Sequence, residues 1–96
     1  MKKILTVIGT RPEAIKMAPL VKMFNADSDI NHKLCVTGQH KELLDSALDS
    51  FYLKPDFSLS VMEENQSLAL LTSKIIFEFS KLLTSFAPDL VLVHGD

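Results

Sequence analysis

Four short apolar segments alternate along this chain with three longer segments of helical spacing. Two of the short ones, 3–8 and 90–93, are apolar runs rich in β-branched residues, each soon followed by a glycine. Continuous runs of this kind are typical of strands that are buried on both faces of a parallel sheet. A third short segment, 33–37, also ends at a glycine, and 57–61 alternates apolar with polar residues. We therefore predict four strands, with the alternating one at an edge of the sheet.

Three amphipathic segments separate these strands. In the last of them, apolar residues recur every three or four positions from 68 to 86, and Pro88 ends the pattern. A shorter stripe in 43–51 has Asp and Ser on its other side, which should face solvent. The first segment is less regular, because Pro19 removes a backbone donor within it. We expect a kink or break in the first helix near that residue.

The start of the first helix carries two competing signals. The sequence Thr10-Arg11-Pro12-Glu13 fits the capping-box pattern, in which Thr10 is the N-cap. However, Pro12 disfavours the helical conformation that the box requires at Arg11. We therefore expect Arg11, and not Thr10, to cap the helix.

The alternation of strands and helices, βαβαβαβ, predicts an α/β fold with right-handed crossovers and a Rossmann-like, mostly parallel sheet. In the common doubly wound order 3-2-1-4, the fourth strand lies beside the first, and the direction of winding reverses between them. Ligands bind at this switch point, beyond the carboxyl ends of the strands. With 96 residues, the chain forms at most one domain.

Charge and composition exclude several classes of protein. The net charge of -2 leaves no cationic surplus for nucleic acid or an anionic membrane, and no apolar stretch is long enough to span a bilayer. The single cysteine, Cys35, excludes an intrachain disulfide and a cysteine-cluster metal site. The N-terminal apolar run stops at Gly9, too early for a signal peptide. We expect a cytoplasmic protein in which Cys35 is a buried apolar residue and not a nucleophile.

The loop after the first predicted strand is a candidate site for an anion. It brings a helix N-terminus, whose free N–H groups and dipole favour a group such as a diphosphate, with Arg11 and Lys16 as nearby cations. Neither G-x-G-x-x-G nor G-x-x-x-x-G-K-[ST] is present, which disfavours a dinucleotide cofactor or an ATPase. A structural interpretation has equal support: Gly9 makes the turn, Arg11 is solvated and Glu13 is a first-turn acid.

Other polar residues follow strands at the same predicted edge. Together, His94 and Asp96 could supply a base, an acid or a metal site, or Asp96 is an uninvolved residue at a strand end. Because no second His or carboxylate lies at a metal-binding spacing, we predict no metal. Gln39 and His40 follow the second strand and form either part of a ligand site or a polar turn with a capping role. We predict that His32 is an exposed turn residue.

Three blocks of this sequence are specific enough to resemble a known family. They are VIGTRPEAIKMAPL at 7–20, VTGQH at 36–40 and PDLVLVHGD at 88–96. Together they resemble the non-hydrolysing UDP-N-acetylglucosamine 2-epimerases of bacteria, over the whole chain and in order. The resemblance implies a glycosyltransferase-B-like protein of two Rossmann-type domains with the substrate between them. Residues 1–96 would be an incomplete N-terminal domain, without the family's C-terminal domain.

The reaction that this resemblance implies interconverts UDP-N-acetylglucosamine and UDP-N-acetylmannosamine, the latter for surface polysaccharide synthesis, without a cofactor. Inversion at C2 would proceed by elimination of UDP across C1 and C2 and its re-addition. A departing diphosphate needs cations, and C2 needs a base. By resemblance, Lys16 and Asp96 are catalytic, Asp96 as an acid/base carboxylate, whereas Gly9, Thr10 and Arg11 bind the substrate.

The resemblance also implies regulation and assembly. Some members bind a second UDP-N-acetylglucosamine at an allosteric site, where Gln39, His40 and Gln66 match implicated positions, while Glu42 and Asn65 depart from residues seen in some members. Further catalytic groups and most uridine contacts come from later parts of the family's sequence. We therefore expect the 96 residues alone to be inactive and to bind UDP weakly or not at all, and the full-length protein to be a homodimer.

Two alternatives remain open at this point. One is a glycosyltransferase or a hydrolysing epimerase of the same fold, which product analysis would distinguish. The other is a non-catalytic binding module, which applies if the gene ends at Asp96. Because a following strand and helix would cover the last strand in the full fold, truncation after Asp96 exposes an apolar sheet edge, and we expect the isolated chain to associate or partly aggregate.

Overall fold

The computed structural model describes residues 1–37, 41–59 and 67–94, with the side chains of all of these except 41–43. In this part of the chain, strands and helices alternate in the predicted βαβαβαβ order. The elements are β1 (Lys2–Ile8), α1 (Arg11–Ala26), β2 (Ile30–Thr37), α2 (Lys41–Ser50), β3 (Phe57–Leu59), α3 (Leu68–Phe86) and β4 (Leu90–Val93). None of these helices is long and apolar enough to cross a bilayer.

The four strands form one parallel sheet in the order β3-β2-β1-β4, which confirms the predicted topology. β1 lies in the interior, where Val7 pairs with Cys35 of β2 on one side and with Val93 of β4 on the other. β3 lies at an edge, as its alternating pattern predicts. Because β2 and β3 extend the sheet to one side of β1 and β4 extends it to the other, the winding reverses between β1 and β4.

Helices cover both faces of the sheet, because successive strand residues point to opposite faces. Ile8 and Val36 pack under α1 and α2, whereas Leu5 and Cys35 pack under α3. The buried residues of the first core are Ile8, Ala14, Ala18, Val21, Leu34, Val36, Leu44, Ala47, Leu48 and Leu53. Those of the second core are Leu5, Cys35, Leu59, Leu82 and Phe86. The result is the predicted α/β, Rossmann-like arrangement of three layers.

An aspartate fixes each outer strand to its neighbour. Before β3, the Asp56 N–H donates to Leu34 O at 2.8 Å, and Asp56 Oδ2 accepts from Leu34 N at 2.8 Å. Before β4, Asp89 makes the same pair of hydrogen bonds with Lys3, each at 2.8 Å. These reciprocal bonds set the register of both outer strands.

α1 runs through Pro19 as one helix, so the predicted break is wrong, whereas the alternative of a kink stays a prediction. Proline removes the hydrogen bond that would join its nitrogen to the Ile15 carbonyl. Both Pro19 and Ile15 lie on the exposed side of the helix, where water can satisfy that carbonyl. Ala18 and Val21, on either side of the proline, are fully buried and anchor the helix against the sheet.

β2 begins at Ile30, earlier than the sequence predicts. Asp27 ends the preceding helix and closes a tight turn, because its carbonyl accepts from Ile30 N at 3.2 Å and its Oδ1 accepts from Asp29 N at 2.9 Å. The strand can therefore start at once after Asp29. As a consequence, the prediction that His32 is an exposed turn residue is wrong: His32 is a half-buried strand residue.

Candidate functional site

The carboxyl end of β1 passes into α1 through Gly9 and Thr10. Thr10 is the N-cap, with an extended backbone, and its Oγ1 accepts a hydrogen bond from Glu13 N at 3.5 Å. In return, one carboxylate oxygen of Glu13 accepts from Thr10 N at 3.0 Å and from Gly9 N at 2.6 Å. The junction is thus a complete capping box with one additional hydrogen bond, from Gly9.

The expectation that Arg11 caps the helix is wrong, since Arg11 is the first helical residue. Pro12 does disfavour a helical Arg11. Against this, the Glu13 carboxylate satisfies two backbone donors and lies at the positive end of the α1 dipole, interactions that together stabilise the helix by about 1–2 kcal/mol. That is enough to offset the unfavourable preference of one helical residue before proline. The structural role predicted for Glu13 is confirmed.

This geometry changes the anion site that the sequence predicts. Pro12 has no N–H, the Glu13 N–H donates to Thr10, and the N–H groups of Gly9 and Thr10 donate to Glu13. The helix N-terminus therefore already holds an anion, which is the protein's own carboxylate. A phosphate ligand at this position would depend on side-chain cations more than on a row of free backbone donors.

Arg11 is the cation at this junction. Its side chain is exposed, and it makes no hydrogen bond or ion pair within the described part of the chain. It lines a groove of about 410 Å³ between α1 and α2. The groove is lined by Arg11, Ile15, Ser46, Ala47, Ser50 and Phe51. The guanidinium is thus available to an anionic group of a ligand.

Lys16, the second predicted cation, does not share this helix face. Residues five positions apart on an α-helix are rotated by about 140° about its axis. Since Arg11 and Ile15 line the groove, Lys16 points away from it, and its side chain is exposed. The structure therefore places the two cations close along α1 but on different faces of it.

Gly9 lies at the point where β1, β2 and the capping carboxylate come closest. A Cβ atom on this residue would lie 3.1 Å from Thr37 Oγ1 and 3.4 Å from Glu13 Oε2. The first distance is shorter than an ordinary van der Waals contact. A side chain here would require the Thr37 side chain to shift by a few tenths of an ångström, so the absence of a side chain keeps this edge compact.

The carboxyl end of β4 lies beside the same junction. Because Val93 is in register with Val7, the next residue, His94, lies alongside Ile8 at the end of β1. The predicted adjacency of the first and last strands is therefore confirmed. The Nδ1 atom of His94 is shut off from solvent and has no hydrogen-bond partner among the described residues.

Four predicted site residues lie outside the described part of the chain: Asp96, Gln39, His40 and Gln66. The acid/base role of the first and the allosteric roles of the other three stay predictions. Within residues 1–37, 41–59 and 67–94, no group of three His, Cys, Asp or Glu side chains is placed to hold a metal ion.

The structure contains a polar cluster that the sequence analysis missed. Thr6, in the middle of β1, is fully buried, and its Oγ1 lies 2.8 Å from His32 Nε2. His32 Nδ1 lies 2.8 Å from Asn25 Oδ1 near the end of α1. Because a carbonyl oxygen only accepts, Nδ1 carries the proton and Nε2 accepts from Thr6. Burial lowers the pKa of His32 from 6.5, opposed in part by Asp56. The signal for this cluster in the sequence was Thr6, a polar residue within a strand that is predicted to be apolar.

Cys35 lies in the core between the sheet and α3, fully buried. Burial raises the pKa of its thiol to about 11. A thiol of this kind is almost entirely protonated at neutral pH, and only the thiolate is a good nucleophile. The prediction of an apolar packing role is confirmed.

Comparison with known sequences gives a consistent result. The sequence model of the family described as UDP-N-acetylglucosamine 2-epimerase matches residues 22–96. A curated relative of that name from Campylobacter jejuni is 54% identical over 96 residues, which are 100% of this chain and 25% of the relative. Another, from Bacillus subtilis (strain 168), is 50% identical over 94 residues, covering 98% of this chain and 25% of the relative. The chain spans about a quarter of the length of these curated relatives.

Solved structures of similar sequence have the same fold. The UDP-GlcNAc 2-epimerase of Neisseria meningitidis, bound to UDP-GlcNAc, matches with a TM-score of 0.89 at 50% identity, covering 98% of this chain and 26% of that one. The structure of Staphylococcus aureus MnaA with UDP matches with a TM-score of 0.91 at 49% identity, covering 100% of this chain and 25% of that one. The resemblance in sequence thus extends to the arrangement of strands and helices.

Proposed function

Because this chain belongs to the UDP-N-acetylglucosamine 2-epimerase family, we propose that the protein that contains it interconverts UDP-N-acetylglucosamine and UDP-N-acetylmannosamine. The observation that carries this proposal is the identity of about half of all residues, over the whole chain, to proteins named for that activity. The product would serve surface polysaccharide synthesis. The cytoplasmic location predicted from the sequence stays a prediction.

We propose that residues 1–96 form the first part of an N-terminal Rossmann-like domain, with a second domain completing the substrate cleft. Two observations support this division. The relatives are about four times as long as the chain. In addition, Leu90 and Val93 of β4 are 48% and 69% exposed, at an apolar edge suited to a further strand. The isolated 96 residues would then lack activity, and the full-length protein would be a homodimer.

The chemistry that we propose is elimination followed by re-addition. A base removes the proton from C2 of the sugar, the C1–O bond breaks, and UDP leaves with the bonding electrons to give a 2-acetamidoglucal. A proton then adds to C2 on the other face while UDP returns to C1. This sequence needs an acid/base carboxylate near C2 and positive charge near the departing diphosphate.

The described geometry supports a cationic role for Arg11. Its guanidinium is exposed, is not engaged in an ion pair within the described residues, and stands at the carboxyl edge where β1 and β4 end. Lys16 would act from a different face of α1 and Asp96 as the acid/base carboxylate. Since Glu13 already occupies the backbone donors of Gly9 and Thr10, these two residues would contribute to substrate binding by fixing the shape of the turn.

We further propose that Gln39, His40 and Gln66 contribute to a second nucleotide-sugar site that regulates the first. This rests on the match of these residues to the family's pattern. A dependence of the initial rate on added UDP-N-acetylglucosamine, in the direction from UDP-N-acetylmannosamine, would test it. If the rate shows no such dependence, the allosteric role is wrong.

Product analysis on the full-length protein tests the proposed reaction. Incubated with UDP-N-acetylglucosamine in D₂O, the enzyme should yield UDP-N-acetylmannosamine carrying deuterium at C2, seen by proton NMR and mass spectrometry. Free N-acetylmannosamine with UDP would instead show a hydrolysing epimerase, and a glycoside would show a glycosyltransferase. Either result would refute the proposal.

Variants test the assigned roles. We expect Asp96→Asn and Lys16→Ala to lower kcat strongly, and Arg11→Ala to raise KM for the nucleotide sugar. Lys22→Ala is the matched control, because Lys22 is another cation on α1, placed 5.5 Å from the ring of Tyr52 near the far end of the helix. It should leave both constants unchanged. An Arg11→Ala enzyme with wild-type KM would contradict the role given to Arg11.

A further inference from the structure

The imidazole of His94 is an unexplained polar group in this fold. Its Nδ1 atom is excluded from solvent, yet it has no hydrogen-bond partner in the described part of the chain. A buried polar atom that makes no hydrogen bond is costly and is rare in native proteins. The nitrogen must therefore gain a partner in the working protein.

The strand pattern places this imidazole on a definite face of the sheet. Val91 packs against the core beneath α3, and Val93 is two positions further along the same strand. Because side chains alternate along a strand, His94 points to the opposite face, the one that carries α1. There it lies alongside Ile8, directly before the Gly9 turn that begins α1.

This position coincides with the reversal of winding between β1 and β4. In open α/β sheets, the crevice at such a reversal, beyond the carboxyl ends of the strands, is where ligands bind. An unsatisfied nitrogen at that crevice is therefore in a position to hydrogen-bond a ligand. It can donate to a phosphate oxygen or accept from a sugar hydroxyl.

His32 points to the same face of the sheet as His94 but differs from it in its hydrogen bonds. His32 lies towards the amino end of the sheet, and both of its nitrogens have partners, Thr6 and Asn25, at 2.8 Å each. Its hydrogen bonds join β2 to β1 and α1, so it is a structural residue. His94 has the same kind of side chain at the opposite end of the sheet, but its Nδ1 has no such partner among the described residues.

We infer that His94 is a substrate-binding residue of the epimerase, whose Nδ1 atom hydrogen-bonds the nucleotide sugar at the switch point between β1 and β4. This inference rests on the proposed function for the identity of the ligand. It assigns a direct contact to a residue other than the predicted cations and the predicted acid/base carboxylate.

A pair of amide substitutions in the full-length protein tests this inference. His94→Asn places an amide near the position of Nδ1, whereas His94→Gln places it near Nε2. We expect His94→Asn to keep KM for UDP-N-acetylglucosamine within about threefold of wild type, while His94→Gln and His94→Ala raise it about tenfold, as loss of one hydrogen bond does. His32→Gln, the control, should lower the melting temperature without changing KM.

Calorimetric titration with UDP and with UDP-N-acetylglucosamine separates the failure of this inference from failure of the proposed reaction. If the wild-type protein binds either ligand but does not epimerise it, the reaction is wrong, and weaker binding by His94→Gln than by His94→Asn still supports the contact. Equal binding by all three His94 variants and wild type would overturn the inference. So would variants that change only the melting temperature, because the partner of Nδ1 would then be structural.

Discussion

Replacement of Glu13 by alanine should destabilise the N-terminal turn of α1. The substitution removes the acceptor for Gly9 N at 2.6 Å and for Thr10 N at 3.0 Å. Hydrogen bonds to a charged group contribute about 1.5–3 kcal/mol, and helix-capping residues about 0.5–2 kcal/mol. Because one oxygen serves both donors and alanine has the better helix propensity, we expect a net loss near 2 kcal/mol.

Amide hydrogen exchange reports this loss locally. A free energy of about 2 kcal/mol corresponds to about 30-fold faster exchange of the Gly9 and Thr10 amides, measured by mass spectrometry on peptides that span the β1–α1 turn of the full-length protein. Amides of α3 serve as an internal reference, since α3 packs on the other face of the sheet. Glu13→Gln, which keeps a neutral acceptor, should have a smaller effect.

Glu78→Ala provides the matched control for this substitution. Glu78 is also a helical glutamate, but its carboxylate is 42% exposed and its partner is Lys81 at 3.8 Å on the same helix. Exposed pairs of this kind contribute less than about 0.5 kcal/mol. If the Gly9 and Thr10 amides exchange no faster in Glu13→Ala than in Glu78→Ala, the capping box does not hold the turn, and our account of the junction is wrong.

Three further outcomes follow from the contacts. Gly9→Ala should lower the free energy of unfolding by about 1–3 kcal/mol, because the new methyl group would press against Thr37 Oγ1. In denaturant titrations, the double variant Gly9→Ala/Thr37→Ala should recover part of this loss, and purely additive losses would refute the contact. The pKa of His32 is lowered from 6.5 in the folded protein, so the unfolded state binds a proton first as the pH decreases. The melting temperature of the wild type should therefore decrease as the pH is lowered from 6.5, and that of His32→Gln should decrease less. Cys35 should resist alkylation at pH 8 until denaturant is added, and rapid labelling of the native protein would contradict its burial.

The order and topology of the fold were predictable because they depend on patterns that extend over many residues. Apolar runs define β1 and β4, and the right-handedness of each crossover then leaves few ways to arrange four strands. The start of β2 was not predictable in the same way. Three of its first four residues are polar, Asn31, His32 and Lys33, and the turn that Asp27 closes lets the strand begin at Ile30.

The candidate site was predictable in its location but not in its hydrogen bonds. Thr10 and Glu13 match the capping-box pattern, whereas the conformational preference of a residue before proline argues against it. The sequence does not show which of these two effects contributes more free energy. The outcome depends on one carboxylate that reaches two backbone donors at once. The contact of Thr6 with His32 joins residues 26 positions apart, which no local pattern specifies.

The electrostatics of the β1–α1 junction give a physical reason for the expected weakness of this chain as an isolated ligand-binding unit. The helix dipole contributes about half a positive charge at the N-terminus, and Arg11 adds a full one. The negative charge of Glu13 offsets one full positive charge at the same place, because its carboxylate accepts hydrogen bonds from the backbone N–H groups of Gly9 and Thr10. The remainder falls well short of the charge on a diphosphate, with Lys16 held on another helix face. A diphosphate bound at this edge would therefore need cations from outside the described residues, and we expect the affinity for UDP to depend on the parts of the protein that supply them.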